Sequence, residues 1–315
     1  MERISVFGHK NPDNDAICSA IGAAYYLNTL GDGCEYVPVC LGELPKETQW
    51  VFEQYGCTAP QQVANAADLP HEEGARPKVF LVDHNESAQS IDGLDQCEVV
   101  GLIDHHRIGD LQTDAPLYIT ARPWGSSSTI VATLIQGDDV TFPKPIAAAL
   151  LSALLTDTVI LRSPTTTDVD REMAETLGKL VGVDPVQFGI QVIKGRGGDD
   201  ELTADYIISH DSKEFDFGGQ RFLVAQHETV DLKGLLGRKG EVQQAMDALQ
   251  AEKGYDTVLV LLTDIIEEGS EFLISGDRSL VESTFNVSFD GDVYVPGVLS
   301  RKKQVAAPLS EASAK

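Results

Sequence analysis

Short apolar runs alternate with longer mixed segments through the first half of the chain. Residues 3–8 (RISVFG) form a compact apolar run that predicts a buried strand. Residues 15–30 (DAICSAIGAAYYLNTL) predict a helix stopped by Gly31. Residues 78–83 (KVFLVD) and 98–104 (EVVGLID) predict two further apolar strands. Residues 145–155 are apolar nearly all round, which predicts a buried helix rather than a surface one. Strands interleaved with helices predict an α/β domain: a parallel sheet with helices on both faces.

The pattern changes after Val192. Residues 193–201 (IKGRGGDDE) are polar and glycine-rich, as in a linker or hinge. Residues 214–217, Gly218-Gly219 and 221–225 then predict a hairpin. Residues 241–253 predict an amphipathic helix, and 256–263 and 271–275 two more strands. The expected organisation is a domain over 1–192, a hinge over 193–201 and a smaller mixed α/β domain over 202–315. The tail from Ala306 onward, rich in Ala, Ser and Pro, is expected to fray.

Charge narrows the function classes. The 315 residues carry 49 Asp and Glu against 24 Lys and Arg, a formal net charge of -25. Such a surface repels a phosphate backbone, so no nucleic-acid partner is expected. No apolar run approaches the ~20 residues that span a bilayer, so no membrane partner is expected. The N-terminus opens directly into a strand pattern, so no signal peptide is expected. Cys18, Cys34, Cys40, Cys57 and Cys97 are odd in number and form no CxxC pair, which suits reduced thiols in a cytoplasm.

Four of the seven histidines fall in three acidic clusters, each at the carboxyl end of a predicted strand. They are GHKNPDND (8–15), DHNE (83–86) and DHH (104–106). Strand carboxyl ends line the ligand crevice of open α/β sheets, so parallel strands would bring the clusters together. Taken singly each has an ordinary explanation: Asp13 or Asp15 as a helix cap, His84 as a satisfied structural histidine. Asp157, amid Leu and Val, adds weight, because a carboxylate there is costly without a cation. Mixed imidazole and carboxylate ligands suit Mn²⁺ or Co²⁺. One ion would take His9 and Asp13, another Asp15, His105 and Asp157, with Asp83 as the bridge. Four carboxylates balance two divalent ions, and such a pair activates water and clamps a phosphoryl group. The second half supplies the opposite charge in Ser300-Arg301-Lys302-Lys303-Gln304, and Lys213 in HDSKEF is a further candidate. Arg offers a bidentate fork to phosphate and Lys a point charge.

In this order GHKNPDND, VDHNE, IDHH, the Asp157 region, DSKEF and SRKKQ resemble the DHH phosphoesterases, and more narrowly the family II, manganese-dependent inorganic pyrophosphatases. The resemblance spans essentially the whole chain. It implies an N-terminal DHH domain and a C-terminal DHHA2-type domain with the active site in the cleft between them. It implies one metal on His9, Asp13 and Asp83 and a second on Asp15, Asp83, His105 and Asp157. It further implies that His106 lies by the substrate and assists the leaving phosphate, and that Lys213, Arg301 and Lys302 hold phosphate groups. Mg²⁺ would enter with inorganic diphosphate, and a homodimer would form through the N-terminal domain. Asn14 departs from the Thr or Ser usual in the family; it lies between two ligands, and an adjustment around them is expected rather than lost activity. No inserted regulatory module precedes Asp157, so adenine-nucleotide control by that route is not expected.

The implied reaction is attack by a metal-bridging water on one phosphorus in line, with Arg301, Lys302 and Lys213 stabilising the phosphoryl charge. The rival readings are another DHH phosphoesterase, either an exopolyphosphatase or a small-oligonucleotide phosphodiesterase, and a non-catalytic metal clip or sensor. Nucleases of the superfamily carry a GGGH-type motif near the C-terminus that this chain lacks. Against the non-catalytic reading stands the completeness of the ligand and cation set.

Overall fold

The computed structural model describes residues 2–195, 197 and 202–313. Arg196 and residues 198–201 of the expected hinge lie outside the described residues, as do the last two residues of the tail. The chain divides into two compact units, Met1–Arg196 and Gly197–Lys315.

In the first unit the strands are β1 (Glu2–Phe7), β2 (Cys34–Cys40), β3 (Gln61–Gln62), β4 (Lys78–Val82), β5 (Glu98–Asp104) and β6 (Tyr118–Ala121). Its helices are α1 (Asn14–Leu30), α2 (Lys46–Tyr55), α3 (Ser127–Gly137), α4 (Lys144–Asp157), α5 (Asp168–Val181) and α6 (Pro185–Lys194). Among the described residues the strands form one sheet in the order β3-β2-β1-β4-β5-β6, parallel throughout. The chain runs outward from β1 to β3 and then returns to β1's other side with β4. The carboxyl ends of β1 and β4 therefore flank a topological switch point, the usual ligand crevice of such sheets.

Both faces of the sheet are covered. Helices α1 and α3 pack across the strands. On the alternate side Phe7, Val79, Leu81 and Leu102 meet Ala66, Leu69, Ile91 and Cys97, so there the cover is made largely by short 3₁₀ turns and loops. The all-round apolar character of α4 has a direct cause: α1, α2, α3, α5 and α6 all pack on it, and residues 147–155 are buried without a break. Helix α1 begins where the Asp13 side chain accepts the Ala16 N–H at 2.9 Å, and ends at Gly31 in the left-handed conformation. It sits tight against the end of β1, because a Cβ on Gly8 would lie 2.5 Å from the Ala16 Cβ. That close approach sets the spacing between His9 and the start of α1.

The second unit holds β7 (Ser212–Phe217), β8 (Gln220–Thr229), β9 (Thr257–Asp264), β10 (Gly269–Gly276) and β11 (Tyr294–Pro296) in the order β11-β10-β9-β8-β7. Pair β8–β9 is parallel and the others antiparallel, which makes a mixed sheet. The hairpin turns at Gly218 and Gly219, both with positive φ. One face buries Leu223, Val258, Val260 and Leu262 beneath α7 (Ala204–Ser209), α8 (Leu232–Leu236) and α9 (Lys239–Lys253). The other buries Phe222, Leu259, Leu261 and Phe272 beneath α10 (Ser279–Phe285), a π-helical turn at Arg301–Ala306 and α11 (Ala307–Ser313).

Helix α11 overturns the expectation of a frayed tail. Val305, Ala306 and Leu309 are buried in this second core, and Leu309 is wholly inaccessible. The Ala/Ser/Pro composition concealed an apolar stripe, Val305 to Leu309 at i,i+4, that is enough to dock the segment.

Candidate metal centre

The switch point gathers the acidic clusters. His9 follows β1, Asp83 follows β4, and His105 and His106 follow β5. Asp13 and Asp15 open α1, and Asp157 is the last residue of α4. Among the described residues three groups could hold a cation: His9 with Asp13 and Asp83, Asp15 with His105 and Asp157, and Asp83 with His105 and His106.

The two inner histidines are posed alike. His9 Nδ1 lies 2.9 Å from the Lys10 carbonyl, and His105 Nδ1 lies 3.0 Å from the Trp124 carbonyl. A carbonyl can only accept, so each Nδ1 carries a hydrogen, and in the neutral ring each Nε2 presents a lone pair. His9 Nε2 is 3.6 Å from Asp13 Oδ1 and 3.6 Å from Asp83 Oδ2. His105 Nε2 is 3.4 Å from Asp83 Oδ1 and 3.3 Å from Asp157 Oδ2. Asp83, 2% exposed, thus turns one oxygen toward each histidine. The buried His105 Nε2 makes no hydrogen bond, an orphaned donor-set atom aimed at carboxylates. A pair of cations fits this arrangement, and a carbonyl-oriented imidazole is the usual support of a metal-ligating histidine.

The electrostatics point the same way. Burial, then the neighbouring Asp15 and Asp13, push the Asp157 carboxyl up to about 8. Burial and repulsion from Asp15, Asp13 and Asp157 push Asp83 well above the usual carboxylate range. Asp15 is raised by burial and by Asp13, against the pull of His105. Asp13 goes the other way: burial opposes it, but His9 and the Ala16 N–H hold it below its ordinary value. Burial would lower the His9 imidazole, yet Asp13, the Lys10 carbonyl and Asp83 hold it up at about 9. Negative charge is in excess here, and bound cations would relieve it.

Several supports were not visible in the sequence. Ser127 and Ser128, the first residues of α3, donate their N–H groups to the two oxygens of Asp15 at 2.7 and 2.9 Å. Ser127 Oγ donates to Asp83 Oδ1 at 3.0 Å. The buried Asp104 accepts from His106 Nδ1 at 2.9 Å, from the Asn85 amide and from the His106 N–H at 3.0 Å, and against its burial these bonds, with the His106 ring's charge, keep its carboxyl low. His106 is half-exposed with its Nε2 turned away from that bond. His84, by contrast, has both nitrogens engaged, with the Val82 carbonyl and Ser90 Oγ, and burial pushes it down to about 4; it is a structural histidine. Asn14 is buried and ties α1 to α4 through Ser152 and to α2 through Thr48. Beyond Asp157 the backbone of Val159, Ile160 and Leu161 turns left-handed, with φ of 49, 52 and 64°.

The expected phosphate-binding cations belong to the second unit. Lys213 lies on the edge strand β7, its ammonium 5.9 Å from the Phe215 ring centroid. Arg301 and Lys302 open the π-helical turn, whose cap is Ser300. The Arg301 guanidinium meets Asp211, two residues before Lys213, at both its carbonyl and, at 2.9 Å, its Oδ1. The buried Gln226 accepts the Arg301 N–H at 2.9 Å. Arg301 and the start of β7 are thereby joined, although 90 residues separate Arg301 from Asp211.

Comparison with known proteins bears on both units. Residues 3–156 match the DHH family, N-terminal domain, and residues 194–312 match the DHHA2 domain. The chain is 41% identical to a probable manganese-dependent inorganic pyrophosphatase of Archaeoglobus fulgidus, over 99% of this chain and 98% of the relative. It is 37% identical to the manganese-dependent inorganic pyrophosphatase of Methanocaldococcus jannaschii, over 98% of both. Among solved structures it is similar to a Methanococcus jannaschii crystal structure assigned to the family II inorganic pyrophosphatases, with a TM-score of 0.59, 35% identity, and coverage of 99% of this chain and all of the other.

Proposed function

The chain belongs to the manganese-dependent inorganic pyrophosphatases, and on that footing we propose that it hydrolyses inorganic diphosphate to two phosphates at the crevice just described. The observation that carries this reading is Asp83, a buried carboxylate with one oxygen toward each of two carbonyl-oriented imidazoles. His9, Asp13 and Asp83 would hold one Mn²⁺, and Asp15, Asp83, His105 and Asp157 the other, with Co²⁺ as the competing ion. Such an ion pair supplies Lewis acidity toward phosphoryl oxygens and a nucleophile from water at neutral pH.

The chain's own groups do the rest. The backbone bonds at His9 and His105 fix which nitrogen faces the ions. Asp104 holds His106 Nδ1–H, which leaves Nε2 facing away from it and, when the ring carries both protons, able to give the second to the departing phosphate and return to the neutral Nδ1–H form. Arg301, Lys302 and Lys213 balance the charge of a diphosphate that arrives with Mg²⁺. A homodimer through the N-terminal domain has a candidate seam in the edge strand β6, where Tyr118 and Ile119 are exposed. The five free thiols suit the cytoplasm. Among the described residues no helix is long and apolar enough to cross a membrane.

The test is phosphate release after metal stripping and reconstitution with Mn²⁺, Co²⁺ or neither, Mg²⁺ being supplied with the substrate. Diphosphate should be cleaved far faster than tripolyphosphate or a dinucleotide, and only after reconstitution. Preference for either alternative substrate would move the chain to another DHH activity, and no release from any of them would favour a non-catalytic metal clip.

A further inference from the structure

Asp170 is a carboxylate that belongs to none of the cation-competent groups, yet it is entirely inaccessible and surrounded by donors. It is the third residue of α5. Its Oδ2 accepts from Thr167 N–H at 2.7 Å while its own N–H donates to Thr167 Oγ at 3.4 Å, the two halves of a helix-capping box, and the Thr167 hydroxyl adds a bond to Oδ2 at 2.6 Å. A cap needs no more than that. Asp170 also accepts the Gly125 N–H on both oxygens, at 3.1 and 2.9 Å, and the Thr129 hydroxyl on Oδ1 at 2.7 Å. Those donors lie more than 40 residues away in sequence, at either end of the segment 125–129.

That segment and the residue before it touch three of the proposed ligands. The Trp124 carbonyl fixes the His105 tautomer, Ser127 and Ser128 hold both oxygens of Asp15, and Ser127 Oγ meets Asp83. The segment has no slack: a Cβ on Gly125 would stand 2.5 Å from Thr158 Cγ2 and 2.8 Å from Asp170 Oδ2. Thr158 is the residue after Asp157. Asp170 thus bolts a backbone strap to α5 at both Gly125 and Thr129, and the strap fixes Asp15, Asp83 and His105 relative to one another.

We propose that Asp170 is a positioning residue that sets the affinity of the centre for its cations by anchoring segment 124–129. The inference rests on the metal reading given above. Because both oxygens of Asp170 accept backbone N–H groups, which cannot accept in return, Asp170→Asn must turn its amide hydrogens against the Gly125 N–H on one side or the Thr167 N–H on the other. Gly125→Ala forces the same joint apart from the strap side. Thr167→Ala removes a cap donor and leaves the strap bonds in place.

The experiment is calorimetric Mn²⁺ titration of the metal-stripped full chain, below the melting temperature of every variant, with phosphate release followed as a function of Mn²⁺. Asp170→Asn and Gly125→Ala should each weaken Mn²⁺ binding by about 10–100-fold, the range found when a ligand's supporting partner is removed. Turnover at saturating Mn²⁺ should return to within a few-fold of wild type. Thr167→Ala should lower the melting temperature and leave Mn²⁺ binding unchanged. Should Asp170→Asn fail to fold, Gly125→Ala decides. Wild-type Mn²⁺ affinity in the anchor variants, or an equal loss in Thr167→Ala, overturns the anchoring role alone. A wild-type protein that neither binds Mn²⁺ nor releases phosphate overturns the metal reading, and the anchoring role with it.

Discussion

In the first unit Asp15, Asp83 and Asp157 crowd against two imidazoles in a buried crevice, where backbone groups or hydroxyls orient Asp15, Asp83 and both rings. In the second, Lys213 and Lys302 stand in solvent, and Arg301 is steadied by one carboxylate and one buried amide. Like charges packed out of water resist ionisation, so the first arrangement is complete only with cations in it. Exposed cations need no such completion, and their long side chains can adapt to an incoming anion. The contrast implies a division of labour. Changes to the metal ligands of the first unit should act through metal affinity, and changes in the second through the substrate alone.

The most severe challenge to that division is Asp83→Ala, which removes an oxygen from both proposed ion sites at once. Turnover should fall by more than the ~100–1,000-fold that loss of one transition-state donor costs, and Mn²⁺ titration should show weakened binding. Arg301→Ala should cost about 100–1,000-fold in turnover with Mn²⁺ binding unchanged. A parallel loss of Mn²⁺ affinity in that variant would break the comparison.

pH gives a graded version of the same test. With the ion-free His9 held up at about 9 and Asp157 at about 8, both are protonated at neutral pH, and a cation must expel those protons. Mn²⁺ affinity should therefore rise with pH, by up to about tenfold per proton per unit, through the range in which these groups lose their protons. Calorimetry in buffers of different ionisation enthalpy would count the protons released. The mildest change is Asp211→Asn, which keeps the carbonyl contact and loses the ion pair to Arg301. Since partly exposed pairs contribute ~1 kcal/mol or less, a several-fold rise in KM for diphosphate with unchanged Mn²⁺ binding is expected.

Much of the centre is legible in the amino-acid sequence. β1, β4 and β5 are continuous apolar runs, and the His and Asp residues that close them are conspicuous in a chain with seven histidines. The buried helix α4 was legible from its composition, because a helix packed on several sides has no polar face to show. What stayed hidden acts through groups common to every residue. The Trp124 carbonyl and the Ser127 and Ser128 amides carry no side-chain signature for their tasks. Asp170 did leave a trace, since Thr167-x-x-Asp170 fits a capping box, but that pattern explains only half of its contacts. β2 escaped because Pro38 interrupts it, and β6 because it is short and half-exposed.

The left-handed turn at Val159, Ile160 and Leu161 has a practical consequence. Residues with side chains sit about 1–2 kcal/mol above their relaxed state in that conformation, whereas glycine occupies it freely. Ile160 is buried and must keep its bulk, but Leu161 is partly open to water. A single codon change there, Leu161→Gly, would release stored tension, and a higher melting temperature would make the molecule hardier without touching its chemistry.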